Sequence, residues 1–520
     1  MPYSNHEPSP LTFIGSDRRV ARRIARPLQQ FLHVEAASGI LLLAATAIAL
    51  LWVNVPLFGD SYHDFWETKA TVSVGEFYSL DGHEPEAEGE SHGAEGGESH
   101  GAEGAVGEGE SEAAAEDGSE AVEAHDEEHS GITLHGIVND ILMVLFFFVV
   151  GMEIKLELVS GQLRDRSAAV LPAMAALGGM IVPAAIFFAL NPTGPESAGW
   201  GIPMATDIAF ALGVVSLLGS RVPAELKVFL LTLAVVDDIG AILVIAIFYT
   251  SGLSVTWLLI GVALLGLMYG MQRLRVWWIP IYVIVGMFIW LAVFESGVHA
   301  TIAGVAIGLL TPARPLQQRP RLDDLLTGVF QSDEVDTTAP DVKRAEFELR
   351  ETVSVAERLS STLHPLTSYV IIPVFALANA GISLSGDGIS DAASSRVTLG
   401  IVMGLVVGKL VGVSFFTYLA TRLKLSKLPA NVSFGQVLGI CAVSGIGFTV
   451  SIFITTLAYS DAALQEEAKM GILVASLFAA VLGLAMLHRA ASNPNPPNPN
   501  QPGVDAATAP TPEPVTAPKS

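Results

Sequence analysis

The sequence predicts an all-α polytopic membrane protein with about twelve transmembrane helices, and three observations lead there. The 520 residues are 51% hydrophobic and only 15% charged, whereas a soluble domain is nearer one quarter charged. Apolar runs close to the ~20 residues needed to cross hydrocarbon recur twelve times. Arg and Lys gather in alternate connections between those runs, as the positive-inside rule requires. Two of the runs read as interrupted helices in inverted repeats, and a small extracytoplasmic β-hairpin is expected beside the first.

Taken in order, residues 1–33 form a basic cytoplasmic arm. "DRRVARRIARPLQQF" lacks the apolar stretch and small-residue cleavage site of a secretory signal. Residues 34–80 hold the first transmembrane helix (34–54) and the first hairpin strand. "ATVSVGEFYSL" and "GITLHG" show the β-branched alternation of paired strands. Between them, residues 81–130 are an acidic, low-complexity, extracytoplasmic insertion with 18 acidic residues, five histidines and no Lys or Arg. The octad "GESHGAEG" occurs in tandem at 89–96 and 97–104. Too few apolar residues exist there to offset the entropy of ordering. Without a fixed ligand spacing, its histidines read as solvated side chains rather than a metal site. The insertion also explains most of the net charge of −24: removing its 18 acids from 52 leaves 34 against 28 basic residues, or −6.

Residues 131–312 hold transmembrane helices 2–8, near 134–156, 168–190, 200–219, 225–249, 254–272, 277–293 and 297–311. A cytoplasmic loop follows at 313–363. Residues 364–488 hold helices 9–12, near 364–384, 398–420, 434–459 and 467–488. The Pro-rich tail 489–520 is solvated and cytoplasmic. The connections that carry Arg and Lys include Arg164, Arg221, Arg273 and Arg422, and "SGDGISDAASS" and "YSDAALQEEA" on the other side carry none. Both termini are therefore expected in the cytoplasm. The single cysteine, Cys441, excludes an intrachain disulfide framework.

Ionisable residues inside transmembrane runs are costly and mark function. Asp237 and Asp238 stand together at the middle of 225–249, in "LAVVDDIGAIL". Lys409 is midway along 398–420, too deep for its stem to reach the interface. Gly404, Gly408 and Gly412 form a small-residue stripe on that helix, which signals close helix packing. Asp207 lies midway along 200–219, in "IPMATD", and "SGIGFT" at 444–449 lies midway along 434–459. Pro203, Gly445 and Gly447 weaken their helices. These are the fourth and eleventh runs, and an odd separation makes them run in opposite directions. Paired interruptions at corresponding places in two halves point to a transporter's binding site. The broken ends expose partial charges of both signs, with Asp207 suited to the positive ends and Lys409 to the negative ones.

These residues resemble the NhaA-type sodium/proton antiporters of bacteria, a family that is itself one of the folds behind the rule on paired interruptions. "FFFVVGMEIKLEL", "ATDIAFALG", "VVDDIGAI", "SGVHATIAG", "VIIPVFALANAG", "GLVVGKLVG" and "SGIGFTVSIFI" follow in family order. The resemblance implies that Asp238 binds cation and proton, with Asp237 beside it, so that both would hold transported Na+. It implies that Lys409 pairs with Asp237, and that Thr206 and Asp207 lie at the crossing of the broken helices opposite Gly445 and Gly447. It further implies electrogenic, pH-regulated exchange of Na+ or Li+ for H+, a homodimer, and no cofactor, nucleic acid or enzymatic step. Glu153 and Glu157 match a cluster used near the ion entrance and in pH sensing, and they equally fit interfacial charges a turn apart. His299 matches a pH-related histidine and equally fits a structural hydrogen-bond partner. Leu156, Ser360 and Ser361 depart from the family pattern, which implies a different pH set-point.

Adjacency of the aspartates has a physical use. Successive helix positions point about 100° apart, so one carboxylate can face an ion path while the other faces Lys409. Hard oxygen ligands suit sodium, and the protons belong to a coupled group. The alternative is a cation-coupled symporter of an organic solute on a similar fold. An intramembrane aspartyl protease needs two aspartates facing one another from separate helices, which an adjacent pair is not.

Overall fold

The structure is a computed structural model that describes residues 37–56, 58–70, 132–250, 252–274, 276, 278–315, 352–384, 390, 392–429 and 432–492. The basic arm, the acidic insertion, most of the expected hairpin and cytoplasmic loop, and the Pro-rich tail lie outside those residues.

Apart from one two-residue pair of strands, the described chain is helical. Helix α1 (Ala37–Asn54) leads into the short α2 (Gly59–Glu67), whose Tyr62 and Trp66 are buried. Strands β1 (Lys69–Ala70) and β2 (Ile132–Thr133) then pair antiparallel, Lys69 with Thr133 and Ala70 with Ile132. Next come α3 (Leu134–Val159), α4 (Arg166–Leu190), a 3-10 segment (Pro195–Met204), α5 (Ile208–Ser216) and α6 (Ala224–Phe248). Helices α7 (Val255–Arg273), α8 (Ile279–Glu295) and α9 (Thr301–Leu310) follow. The last part holds α10 (Val355–Asn379), α11 (Arg396–Arg422), α12 (Phe434–Val443), α13 (Phe448–Ala458) and α14 (Ala462–Ser492).

Among the described residues, eight helices are long and apolar enough to cross a membrane. Two further pairs, the 3-10 segment with α5 and α12 with α13, pass that test together and are each bent by 44° at a short break. Helices α8 and α9 are apolar but shorter. The chain is a multi-pass membrane protein.

Local chemistry sets the helix ends. Asp165 caps α4 by accepting from Ser167 N at 2.9 Å, and that bond together with the Ser167 hydroxyl holds its carboxyl below the usual range. Ser433 and Gln436 close a reciprocal capping box on α12. Ser354 accepts from Glu357 N at 3.2 Å, so α10 starts at Val355, earlier than the position 364 expected from the apolar run. The run alone misses this turn because "VAERLSSTL" is polar on one side.

Helix α3 packs along α9, α4 along α11, and α12 along α14. Most buried apolar side chains join one core that includes Leu42, Phe147, Phe187, Leu233, Phe375 and Phe453. A second, smaller core forms between α7, α8 and α9 from Met268, Met271, Val285, Ile289, Val293 and Ala303. Leu259, Val262 and Leu267 of α7 and Val283, Met287 and Phe288 of α8 point outward, an apolar surface suited to lipid.

Candidate functional site

The two breaks meet. At the first, Ala205, Thr206 and Asp207 leave the helical path between the 3-10 segment and α5; at the second, Ser444 to Gly447 do so between α12 and α13. Asp207 N donates to Ile446 O at 2.7 Å, which ties one broken strand of chain to the other. Two hydroxyls reinforce the crossing. Ser451 donates to Ile202 O at 2.8 Å, and Thr206 Oγ1 lies 2.8 Å from Ser444 O. Gly445 is required by proximity, because a Cβ there would sit 2.3 Å from Leu405 O of α11.

Asp207 is buried and serves both broken helices. Its Oδ1 accepts from Phe210 N at 2.9 Å, the N-cap bond of α5. Its Oδ2 accepts from Thr449 N at 3.1 Å and from the Thr449 hydroxyl at 2.6 Å, in the first turn of α13. One carboxylate thus faces the positive ends of two helices. Ser476 of α14 adds a third partner there, accepting from Phe448 N at 3.3 Å.

Lys409 differs from the sequence expectation in part. It does not go to a helix C-terminus: Nζ lies 2.6 Å from Asp237 Oδ2 and 3.1 Å from Thr206 Oγ1. The C-terminal end of α12 takes the Thr206 hydroxyl instead, at Ser444 O. A π-helical turn, Met403–Gly408, precedes Lys409 on α11, and such a turn rotates the next residues out of ordinary helical phase. Gly404, Gly408 and Gly412 behave as expected. They bring α11 against Pro203, Pro183 and Gly178 respectively.

Asp237 and Asp238 sit on α6, where consecutive positions diverge. Asp237 and Lys409 are both 0% exposed. Asp237 Oδ2 takes Lys409 and also lies 2.9 Å from Thr206 Oγ1. Asp238 is 6% exposed and makes no contact with Lys409 of hydrogen-bond length among the described residues. Asp237 Oδ1 and Asp238 Oδ1 are both buried without a hydrogen-bond partner there, although buried polar atoms normally have one. The charges that act on Asp238 are Asp237, Glu153, Asp207 and Lys409.

With this geometry in hand, comparison with known proteins gives one answer. A family profile described as "Na+/H+ antiporter 1" matches residues 29–84 and 117–487. The chain belongs to the Na+/H+ antiporter 1 family. It is 42% identical over 465 residues to "Na(+)/H(+) antiporter NhaA 3" of Frankia alni, covering 89% of each chain. It is 42% identical over 481 residues to "Na(+)/H(+) antiporter NhaA 2" of Myxococcus xanthus, covering 90% of each. With "Na(+)/H(+) antiporter NhaA" of Janthinobacterium the identity is 38% over 489 residues, 92% of this chain and 96% of that one.

In this antiporter-family chain the structure separates Glu153, Glu157 and His299. Glu153 and Glu157 lie one turn apart on α3, and Glu157 Oε1 accepts from Gln162 N at 2.8 Å and lies 3.3 Å from Thr232 Oγ1 of α6. His299 meets the C-terminal end of α6: its Nε2 lies 2.6 Å from Tyr249 O and donates to it. Thr232 and Tyr249 are about 25 Å apart along a helix axis, so His299 joins neither glutamate. Sequence reasoning singled out neither Thr449, Ser451, Ser476 nor the tyrosines. Tyr249 and Tyr459 donate to Ala198 O and Glu196 O at 2.7 and 2.8 Å and so hold the 3-10 segment. For Thr449 and Ser451 the available signal was the run of hydroxyl residues in "FTVSIFITT".

Proposed function

We propose that the chain is an electrogenic Na+/H+ antiporter that also accepts Li+, extruding the cation in exchange for protons. Sodium is cargo, bound by Asp238 with Asp237 beside it. The observation that carries this reading is the unequal treatment of two adjacent buried carboxylates. Lys409 engages one oxygen of Asp237, beside the Thr206 hydroxyl, whereas Asp237 Oδ1 and Asp238 Oδ1 are buried and without a hydrogen-bond partner among the described residues. Hard, charged oxygens are what a dehydrated sodium ion needs, and protons are the other cations those oxygens accept.

Competition for the same oxygens makes exchange obligatory when only loaded forms reorient. Two charged carboxylates side by side in a dry site repel, so their protons leave and return as a coupled group. The crossing of the broken segments fits alternating access at the centre of two inverted repeats. The family membership supports twelve membrane passes: the eight long helices, the two bent pairs, and α8 and α9. On that count, with Arg- and Lys-bearing connections inside, both termini are cytoplasmic in a bacterial inner membrane. The strand pair then faces outward, at a homodimer contact. Glu153 and Glu157 stand on the inner side of the aspartates and adjust the pH response, and no cofactor is needed.

Proteoliposomes test this directly. Asp238→Asn is expected to abolish sodium-driven proton movement while the protein still inserts and unfolds cooperatively. Exchange at the wild-type rate in that variant would refute the assignment. A reconstituted protein that moves sodium without a counterflow of protons would refute the antiport.

A further inference from the structure

At the end of the bundle that carries the strand pair, three side chains close a ring. His135 and Asn139 lie one turn apart on α3, and Asn379 ends α10. Asn379 Nδ2 donates to Phe375 O at 3.1 Å. That bond fixes its amide, since the flipped form would set two carbonyl oxygens together. The same NH2 donates to Asn139 Oδ1 at 3.0 Å. Asn379 Oδ1 therefore faces His135 Nε2, at 3.1 Å, and only an Nε2–H completes that bond. Asn139, whose oxygen is taken, turns its NH2 to His135 Nδ1 at 3.3 Å, so Nδ1 must be a bare acceptor. One backbone carbonyl dictates every polarity in the ring.

A second proton on Nδ1 breaks this closure. It sets an N–H against the Asn139 NH2. Turning Asn139 over moves the conflict onto the Asn379 NH2, which Phe375 O holds in place. No arrangement of the two amides accommodates a doubly protonated imidazole. The ring borders a cavity of about 280 Å³ shared with Asp140, His299 and Thr456, and Asp140 is exposed there, which gives protons a route. The charges that face His135 are Glu67 from α2 and Lys469 from α14. Asp140 on α3 and His299 in the turn between α8 and α9 line the same cavity.

We propose that His135, Asn139 and Asn379 form a proton-binding site separate from the aspartate pair: the ring holds α3 to α10 while His135 is neutral and opens when Nδ1 takes a proton. The ring stands independently of the antiport reading; only the arrival of its protons from outside the cytoplasm rests on the orientation proposed above.

Hydrogen–deuterium exchange on the purified full chain in nanodiscs reads the opening without any transport. In the wild type, peptides covering 372–384 are expected to exchange roughly fivefold faster at about pH 5 than at about pH 8, after correction for intrinsic rates, as one net hydrogen bond is lost across histidine's titration range. His135→Gln keeps one donor and one acceptor but takes no extra proton, so the difference should vanish. Asn139→Asp supplies an acceptor at Nδ1. It closes the ring around a charged His135, so that the pH response should invert. A wild type without the response, the wild-type response in His135→Gln, or an uninverted response in Asn139→Asp would each overturn the proposal. Failure of the antiport reading would instead leave this pattern intact and abolish only flux.

Discussion

Removing Lys409 should cost far more than removing Lys409 and the charge on Asp237 together. The ammonium lies 2.6 Å from Asp237 Oδ2, and both side chains are fully buried. With an effective dielectric near 20 the Coulomb attraction of such a pair is about 6 kcal/mol, most of which offsets the cost of taking both ions out of water. Lys409→Met leaves Asp237 with an uncompensated charge whose remaining partner is the Thr206 hydroxyl. Breaking a buried pair in this way costs about 3–5 kcal/mol, whereas replacing both partners by neutral groups is close to neutral. Lys409→Met and Asp237→Asn should each lower stability in detergent, and the double variant should recover most of the loss. The assay is a double-mutant cycle on unfolding followed by tryptophan fluorescence. Strictly additive losses would show that the two ions do not stabilise one another and would refute the reasoning.

Three further outcomes can be checked in the same preparations. Gly412→Ala would place a Cβ 2.2 Å from Gly178 O. It should force α11 off α4 at a cost of about 1–3 kcal/mol and slow exchange in proteoliposomes by displacing Lys409. Thr449→Val removes the 2.6 Å bond to Asp207. It should cost about 1.5–3 kcal/mol, the range for a bond to a charged group, with Thr449→Ser restoring stability in the same unfolding assay. Deleting residues 85–128, within the acidic tract, should leave sodium-dependent proton flux and cross-linked dimer yield unchanged, and loss of either would assign the insertion a part in that process.

Residues were legible in the sequence where they show themselves by cost. Asp207, Asp237, Asp238 and Lys409 stand out because an apolar run has no other reason to hold them, and Pro203 and Gly445 stand out because they weaken a helix. The partners of these residues were far less legible. Thr449 and Ser476 are small hydroxyl residues that an apolar helix accommodates cheaply, and their role depends on which backbone N–H groups a break exposes. Helix α10 begins at Val355, ahead of the apolar run near 364, for a related reason: hydropathy follows the membrane, whereas the Ser354 cap follows the chain. Separations across the bundle were also hidden. Glu157 and His299 each touch α6, yet about 25 Å apart along it, and nothing in their local sequence records that distance.

The crossing bears on how the aspartates on α6 would respond to ions in the proposed antiport. Breaking two helices in the middle of a bundle creates exposed N–H groups that demand negative charge. Had Asp238 supplied that charge, its oxygens would be held by backbone donors and protonating it would cost both helices their cap. Asp207 supplies that charge, with Phe210 N, Thr449 N and the Thr449 hydroxyl on its two oxygens, while the neutral Ser476 accepts from Phe448 N. Lys409 holds Asp237 by one oxygen, which also lies near the Thr206 hydroxyl, and the other oxygen has no partner among the described residues. The carboxylates are thereby divided by task, one keeping the broken helices together and the adjacent pair carrying no helix end. In the antiport proposed above, this division lets the pair exchange a proton for a metal ion without unmaking the scaffold that positions it.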